Sequence, residues 1–141
     1  MKLKLLPYLN FDGKTGEAMK FYQSVLGGEL KIQTFGESGM PAKDEYKDRI
    51  MHAELKNDDL TFMASDGNNE HPVKMGDNIS MSIVGSETEK LTEWFNKLSE
   101  GGKILMPLEK QFWGDTFGML VDKFDIQWMV NISQGEQAYG K

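Results

Sequence analysis

The chain contains no cysteine. Disulfides, thiolate metal sites and cysteine nucleophiles are excluded together, and the absence accords with a reducing compartment. Positive charge is also in short supply, with 16 Lys and Arg against 22 Asp and Glu and a formal charge of −6. A nucleic-acid backbone or an anionic membrane would be repelled at long range by such a surface, so neither is expected as a partner. No apolar run reaches membrane-spanning length, and the apolar stretch within Met1–Pro7 is too short for a signal peptide. A cytoplasmic location is the expectation. Also missing are a Ser/His/Asp series, a phosphate loop, and a strand followed by a glycine-rich turn that opens a helix able to cradle a nucleoside. No cofactor is expected.

What is present is a repeat. The strand-like run Leu6–Phe11 leads into an amphipathic helix ending at Gly27-Gly28, and a second apolar run begins near Leu30. The run Asn78–Ile83 leads in the same order into a helix ending at Gly101-Gly102, with a run from Ile104. Two further short strand-like segments follow each unit, giving βαβββ twice. At 141 residues the chain reads as one domain built of two modules, 1–66 and 77–133, with a tail over 134–141. Duplication of this kind predicts an α+β fold in which two curved mixed sheets cover a shared cleft.

Within the first helix Ala18, Phe21, Tyr22, Val25 and Leu26 form one stripe, and in the second Leu91, Trp94, Phe95 and Leu98 do. Ser86-Glu87-Thr88-Glu89 reads as a capping box. Alternation sends Ile79, Met81 and Ile83 toward the second helix and Asn78, Ser80 and Ser82 to the other face. At the start it sends Leu9 and Phe11 toward the first helix and Leu6, Tyr8 and Asn10 away. Hairpins are expected for 50–55 with 60–65, around Lys56-Asn57-Asp58-Asp59, and for 117–121 with 126–132. Asp122-Lys123-Phe124-Asp125 reads as a tight structural turn. The long stretches 36–48 and 67–77 read as lids, partner contacts or disordered loops.

Three segments then carry a resemblance: Pro7-Tyr8-Leu9-Asn10-Phe11-Asp12-Gly13, Phe21-Tyr22-Gln23-Ser24-Val25-Leu26-Gly27-Gly28-Glu29-Leu30, and Phe112-Trp113-Gly114-Asp115-Thr116-Phe117-Gly118. With the βαβββ order, they resemble the PhnB-like branch of the vicinal-oxygen-chelate (glyoxalase, bleomycin-resistance, dioxygenase) superfamily. Metal-dependent members of that superfamily hold one divalent ion with His and Glu from the first and last strands of each module. Carried onto this chain, the positions fall at Leu6 or Pro7, Met63, Asn78 or Ser80, and Met129. None is a ligand suited to a hard or borderline cation beyond a weak amide or hydroxyl oxygen. The usual metal site is therefore expected to be missing, and glyoxalase or ring-cleaving chemistry loses its Lewis acid. Homodimers are common in the superfamily, and one is expected here.

A cleft lined by alternation would present Tyr8, Asn10, His52, Glu54, Met63, Ser80, Ser82, Gln127 and Met129 to an unidentified small molecule. His52 and Glu54 share one strand face at i and i+2, where the carboxylate could orient or charge the imidazole. They read either as a base or displaced metal ligand, or as a structural or interface pair. His71 reads as solvated. Trp113 and Asp115 read either as a mouth closing over the ligand, with Gly114 admitting close approach, or as a packed edge and a turn cap. Two functions stay open: a binding protein that sequesters or senses its ligand, and an acid–base or divalent-metal enzyme of lyase, isomerase or transferase type using His52 and Glu54.

Overall fold

The computed structural model describes residues 1–39, 41–67 and 72–134. His71 and residues 135–141 of the tail lie outside them. Two compact units divide at Lys74 and Met75. Both are α+β, with a four-stranded mixed sheet and a helix packed on one face.

The first unit runs β1 (Tyr8–Asn10), α1 (Thr15–Leu26), β2 (Glu29–Thr34), α2 (Phe35–Ser38), a 3-10 turn (Asp44–Tyr46), β3 (Ile50–Lys56) and β4 (Thr61–Ser65). Its strand order is β1-β4-β3-β2, with β1 parallel to β4 and the other pairs antiparallel. Phe11, Ala53, Leu55, Phe62 and Ala64 are buried, and the Tyr22 and Phe62 rings meet edge-on at 5.8 Å, so this face carries α1. The helix stripe is shifted from expectation: Met19 and Thr15 are buried beside Ala18, Tyr22, Val25 and Leu26, whereas Phe21 is only half-buried. A face wider than a two-residue seam takes in the flank next to it. Asp66 explains how α1 begins, because no local side chain caps it. The buried Asp66 carboxylate accepts from Thr15 N at 2.9 Å and from Ile50 N at 2.8 Å. One acidic group thus accepts from a donor of the helix's first turn and from one at the start of β3.

Within the stretch 36–48, the described residues include the end of α2 and a 3-10 turn at Asp44–Tyr46. Thr34 and Glu37 form a reciprocal capping box at α2, and these hydrogen bonds from Thr34 hold the Glu37 carboxyl below its ordinary value. Phe35 N and Gly36 N donate to Arg49 O and Lys47 O, which folds the segment back on itself.

The second unit runs β5 (Met81–Gly85), α3 (Thr88–Leu98), β6 (Lys103–Lys110), β7 (Thr116–Val121) and β8 (Gln127–Ile132), in the order β5-β8-β7-β6. Leu91, Trp94, Phe95 and Leu98 are all buried. Two expectations fail here. Ile79 precedes the strand and is 80% exposed instead of facing the helix. No capping box forms at Ser86–Glu89: the helix cap is Glu87, without a side-chain bond, and Gln134 Nε2 reaches Ser86 O and Thr88 Oγ1 instead. The helix lies close on its sheet at Gly118, where any β-carbon would come within 2.8 Å of the Phe95 ring. The β7–β8 turn is built on Asp122, 2% exposed, whose carboxylate accepts from Phe124 N, Ile126 N and Trp128 Nε1 at 2.7, 3.1 and 2.8 Å. Asp125 closes the turn at φ 68°, a conformation that aspartate tolerates.

Candidate functional site

Each sheet has one face covered by its helix and one free of it, and the candidate residues gather on the free faces. In the first unit the register sets Tyr8 opposite Met63, Met63 opposite Glu54, and Glu54 opposite Lys31. Asn10 stands opposite Ser65, and His52 opposite Gln33. Tyr8, Asn10, His52, Glu54 and Met63 therefore share a face as alternation predicts. The internal chemistry of the face differs from expectation. The imidazole of His52 meets the Tyr8 hydroxyl at 3.1 Å, with ring centroids 5.8 Å apart, while Glu54 makes no hydrogen bond or ion pair to it. Glu54 sits instead between Met63 and Lys31. An i, i+2 spacing puts two side chains on one side without bringing their ends together, whereas a tyrosine two strands away is long enough to reach.

In the second unit Ser82, Met129, Met119 and Met106 stand opposite one another in turn across four strands. Val84, Asn131, Phe117 and Glu109 form the adjacent row. Gln127, opposite Val121, completes the face at the start of β8. Ser80, assigned to this face from alternation, lies before β5 begins at Met81 and has no place in the ladder.

Trp113 and Asp115 sit in the turn joining β6 to β7. Gln111 N donates to Asp115 O at 2.7 Å and Gly114 N to Gln111 O at 3.0 Å. Gly114 has φ 102°, so the turn itself demands glycine there. Trp113 is 49% exposed and lies edge-on to Phe117 at 5.9 Å and to Phe112 at 5.1 Å. Asp115 Oδ2 accepts from Nδ2 of Asn131 at 2.9 Å, and Asn131 is 3% exposed. The carboxylate is committed to a buried amide while the indole stays available.

The model for a family described as 3-demethylubiquinone-9 3-methyltransferase matches residues 3–131. The chain belongs to the PhnB-like family. This PhnB-like protein is 30% identical to Protein YjdN of Escherichia coli K12, over 92% of the chain and 95% of YjdN. Protein PA1353 of Pseudomonas aeruginosa has a solved structure that matches with TM-score 0.86 at 39% identity, over 95% of this chain and all 100% of that one. The PhnB protein of Bacillus cereus matches with TM-score 0.76 at 28% identity, over 93% and 100%. Glyoxalase/bleomycin-resistance/dioxygenase proteins from Burkholderia phytofirmans and Sphaerobacter thermophilus share the fold at 12% and 16% identity, with TM-scores 0.56 and 0.59.

Of the superfamily's divalent-ion positions as carried onto this chain, Met63 lies on β4 and Met129 on β8. Leu6, Pro7, Asn78 and Ser80 fall outside β1 and β5. The residues directly opposite Met63 and Met129 are Tyr8 and Ser82. A phenol, a hydroxyl and two thioethers do not fit a hard or borderline cation. Among the described residues, no three His, Asp or Glu come together as a metal-holding group, and no helix is long and apolar enough to cross a membrane. Residues that sequence reasoning passed over are Met106, Met119, Phe117 and Asn131. Period-2 alternation through Phe117 and Met119 marked two of them; Met106 was hidden by irregular register in β6.

Proposed function

We propose that this PhnB-like protein binds a small organic molecule against the helix-free faces of its sheets, as a cytoplasmic homodimer and without the divalent-ion site of metal-dependent superfamily members. The observation that carries this reading is the pair of cross-strand rows. Met63 and Met129, at two of the positions where metal-dependent relatives place His and Glu, stand opposite Tyr8 and Ser82, side chains that offer soft apolar contact and hydroxyl groups instead of cation ligation. Trp113, half exposed beside Phe117, adds an aromatic surface of the kind small-molecule sites use. Asn10, Glu54 and Gln127 would supply the orienting polar contacts.

A metabolite panel scored by thermal shift on untagged protein tests the reading, since a ligand that binds only the native state raises its stability by mass action. A hit lost on substitution of Tyr8 or Trp113 is the expected result. Stoichiometric, chelator-reversible divalent-ion binding would overturn it.

One contact favours a second reading. Tyr8 Oη and His52 Nδ1 at 3.1 Å are a pair of titratable groups on an accessible face, suited to moving a proton in a lyase, isomerase or transferase reaction. A divalent ion held by His52 and Glu54 belongs to the same reading, and its loss in His52→Ala would identify it.

A further inference from the structure

Three methionines stand opposite one another on adjacent strands of the second unit. Met129 on β8 lies opposite Met119 on β7, which lies opposite Met106 on β6. Residues directly opposite on antiparallel strands hold their β-carbons about 4.5–5.5 Å apart. With three rotatable bonds each, the outer two side chains can lean over the central one. None is sealed from solvent: Met106 is 38% exposed and the other two are half-buried.

The edge strand is bent to complete the row. Ile104 pairs with Leu120, Met106 with Met119, and Glu109 with Phe117, so β6 carries one extra residue in each interval. Had the ladder run regularly from Ile104, Leu105 would stand opposite Met119 and Met106 would point to the helix side. A bulge gives up ladder hydrogen bonds and can re-aim a side chain, and here Met106 comes to stand opposite Met119.

We propose that Met106, Met119 and Met129 form a binding site for a soft monovalent cation, Cu(I) in reducing surroundings or Ag(I) as its analogue. Neutral, polarizable thioether sulfur selects soft ions and is a poor ligand for zinc, manganese or magnesium. In a chain without cysteine, methionine is the only sulfur donor. Ser82, next to Met129 in the same row, places a hydroxyl oxygen at one end. The net charge of −6 draws cations toward the surface. The site goes beyond the small-molecule reading and shares only Ser82 and Met129 with it, so its test uses the metal ion alone.

Full-length protein is loaded with silver nitrate in chloride-free buffer, desalted and assayed for metal, and affinity is measured by titration. The wild-type chain retains about one equivalent of Ag(I) through desalting, whereas zinc loaded in the same way is washed away. Met119→Leu lowers the affinity about tenfold or more, a change of about 1.4 kcal/mol, and Met106→Leu and Met129→Leu weaken it in the same direction. Met75→Leu, exposed and outside the row, leaves it unchanged. Leucine keeps the volume of methionine, and circular dichroism of each variant verifies the fold. Should Met119→Leu fold poorly, Met106→Leu on the edge strand gives the same reading. X-ray absorption at the silver edge shows sulfur ligands. Failure to retain Ag(I), equal loss in Met75→Leu, retention untouched by all three row variants, or coordination by nitrogen and oxygen alone would each overturn the site.

Discussion

The hydroxyl of Tyr8 lies 3.1 Å from Nδ1 of His52, although β4 runs between the strands that carry them. The contact spans the sheet face across β4 and ties the two rings into one unit. An exposed hydrogen bond of this kind contributes about 1 kcal/mol or less to stability. Tyr8→Phe should therefore melt within about 1 kcal/mol of the parent in denaturant, while the affinity for any panel hit falls. A large loss of stability with ligand affinity intact would make the pair structural.

Trp113 and Asp115, two residues apart in one turn, should behave differently. Trp113→Ala removes a half-exposed ring and should stay within about 1 kcal/mol of the parent, against about 3–5 kcal/mol for a tryptophan in a core. Asp115→Asn can still present an oxygen to Asn131 and should be similarly mild. Asp115→Ala leaves the buried amide of Asn131 without its acceptor and should cost about 1–3 kcal/mol. Equal effects of Asp115→Asn and Asp115→Ala would show that the hydrogen bond to Asn131 is not the reason.

The Asp122 carboxylate accepts from Phe124 N, Ile126 N and the Trp128 indole. Asp122→Ala should cost about 3 kcal/mol or more, because hydrogen bonds to a charged acceptor contribute about 1.5–3 kcal/mol each and all three donors lose it. Urea melts followed by tryptophan fluorescence measure this. A loss below about 1 kcal/mol would mean that water replaces the carboxylate.

Dialysis against zinc, nickel and manganese should leave well under one equivalent of any of them, with little thermal shift, because the superfamily's ligand positions carry no His or Glu. Metal analysis of untagged protein decides this, and one tightly held equivalent would contradict it.

Light scattering at micromolar concentration should give about twice the chain mass of 16.0 kDa. Edge strand β6, with Ile104 and Leu105 at 46 and 43% exposure, is the kind of surface that proteins cover. A monomer throughout that range would remove the homodimer from the proposed function.

Much of the local architecture was determined by the sequence alone. The stripe Leu91, Trp94, Phe95 and Leu98, the hairpin turn at Asn57, whose side chain accepts from Asp59 N and Leu60 N, and the alternation that sets Tyr8, His52 and Met63 on one face all depend on neighbours a few residues apart. Local periodicity and turn chemistry are properties of the chain before it folds. Other features were decided only by tertiary structure. Asp66 caps a helix 51 residues away, Tyr8 displaces Glu54 as the partner of His52, and the Ser86–Glu89 capping signature goes unused. A register shift in β6 after Ile104 sets Met106 opposite Met119. Each of these depends on which strands become neighbours and in what register, and a register shift of one residue exchanges the two faces of a strand. That choice is made by the whole sheet, where burial of the helix-side residues outweighs any local preference.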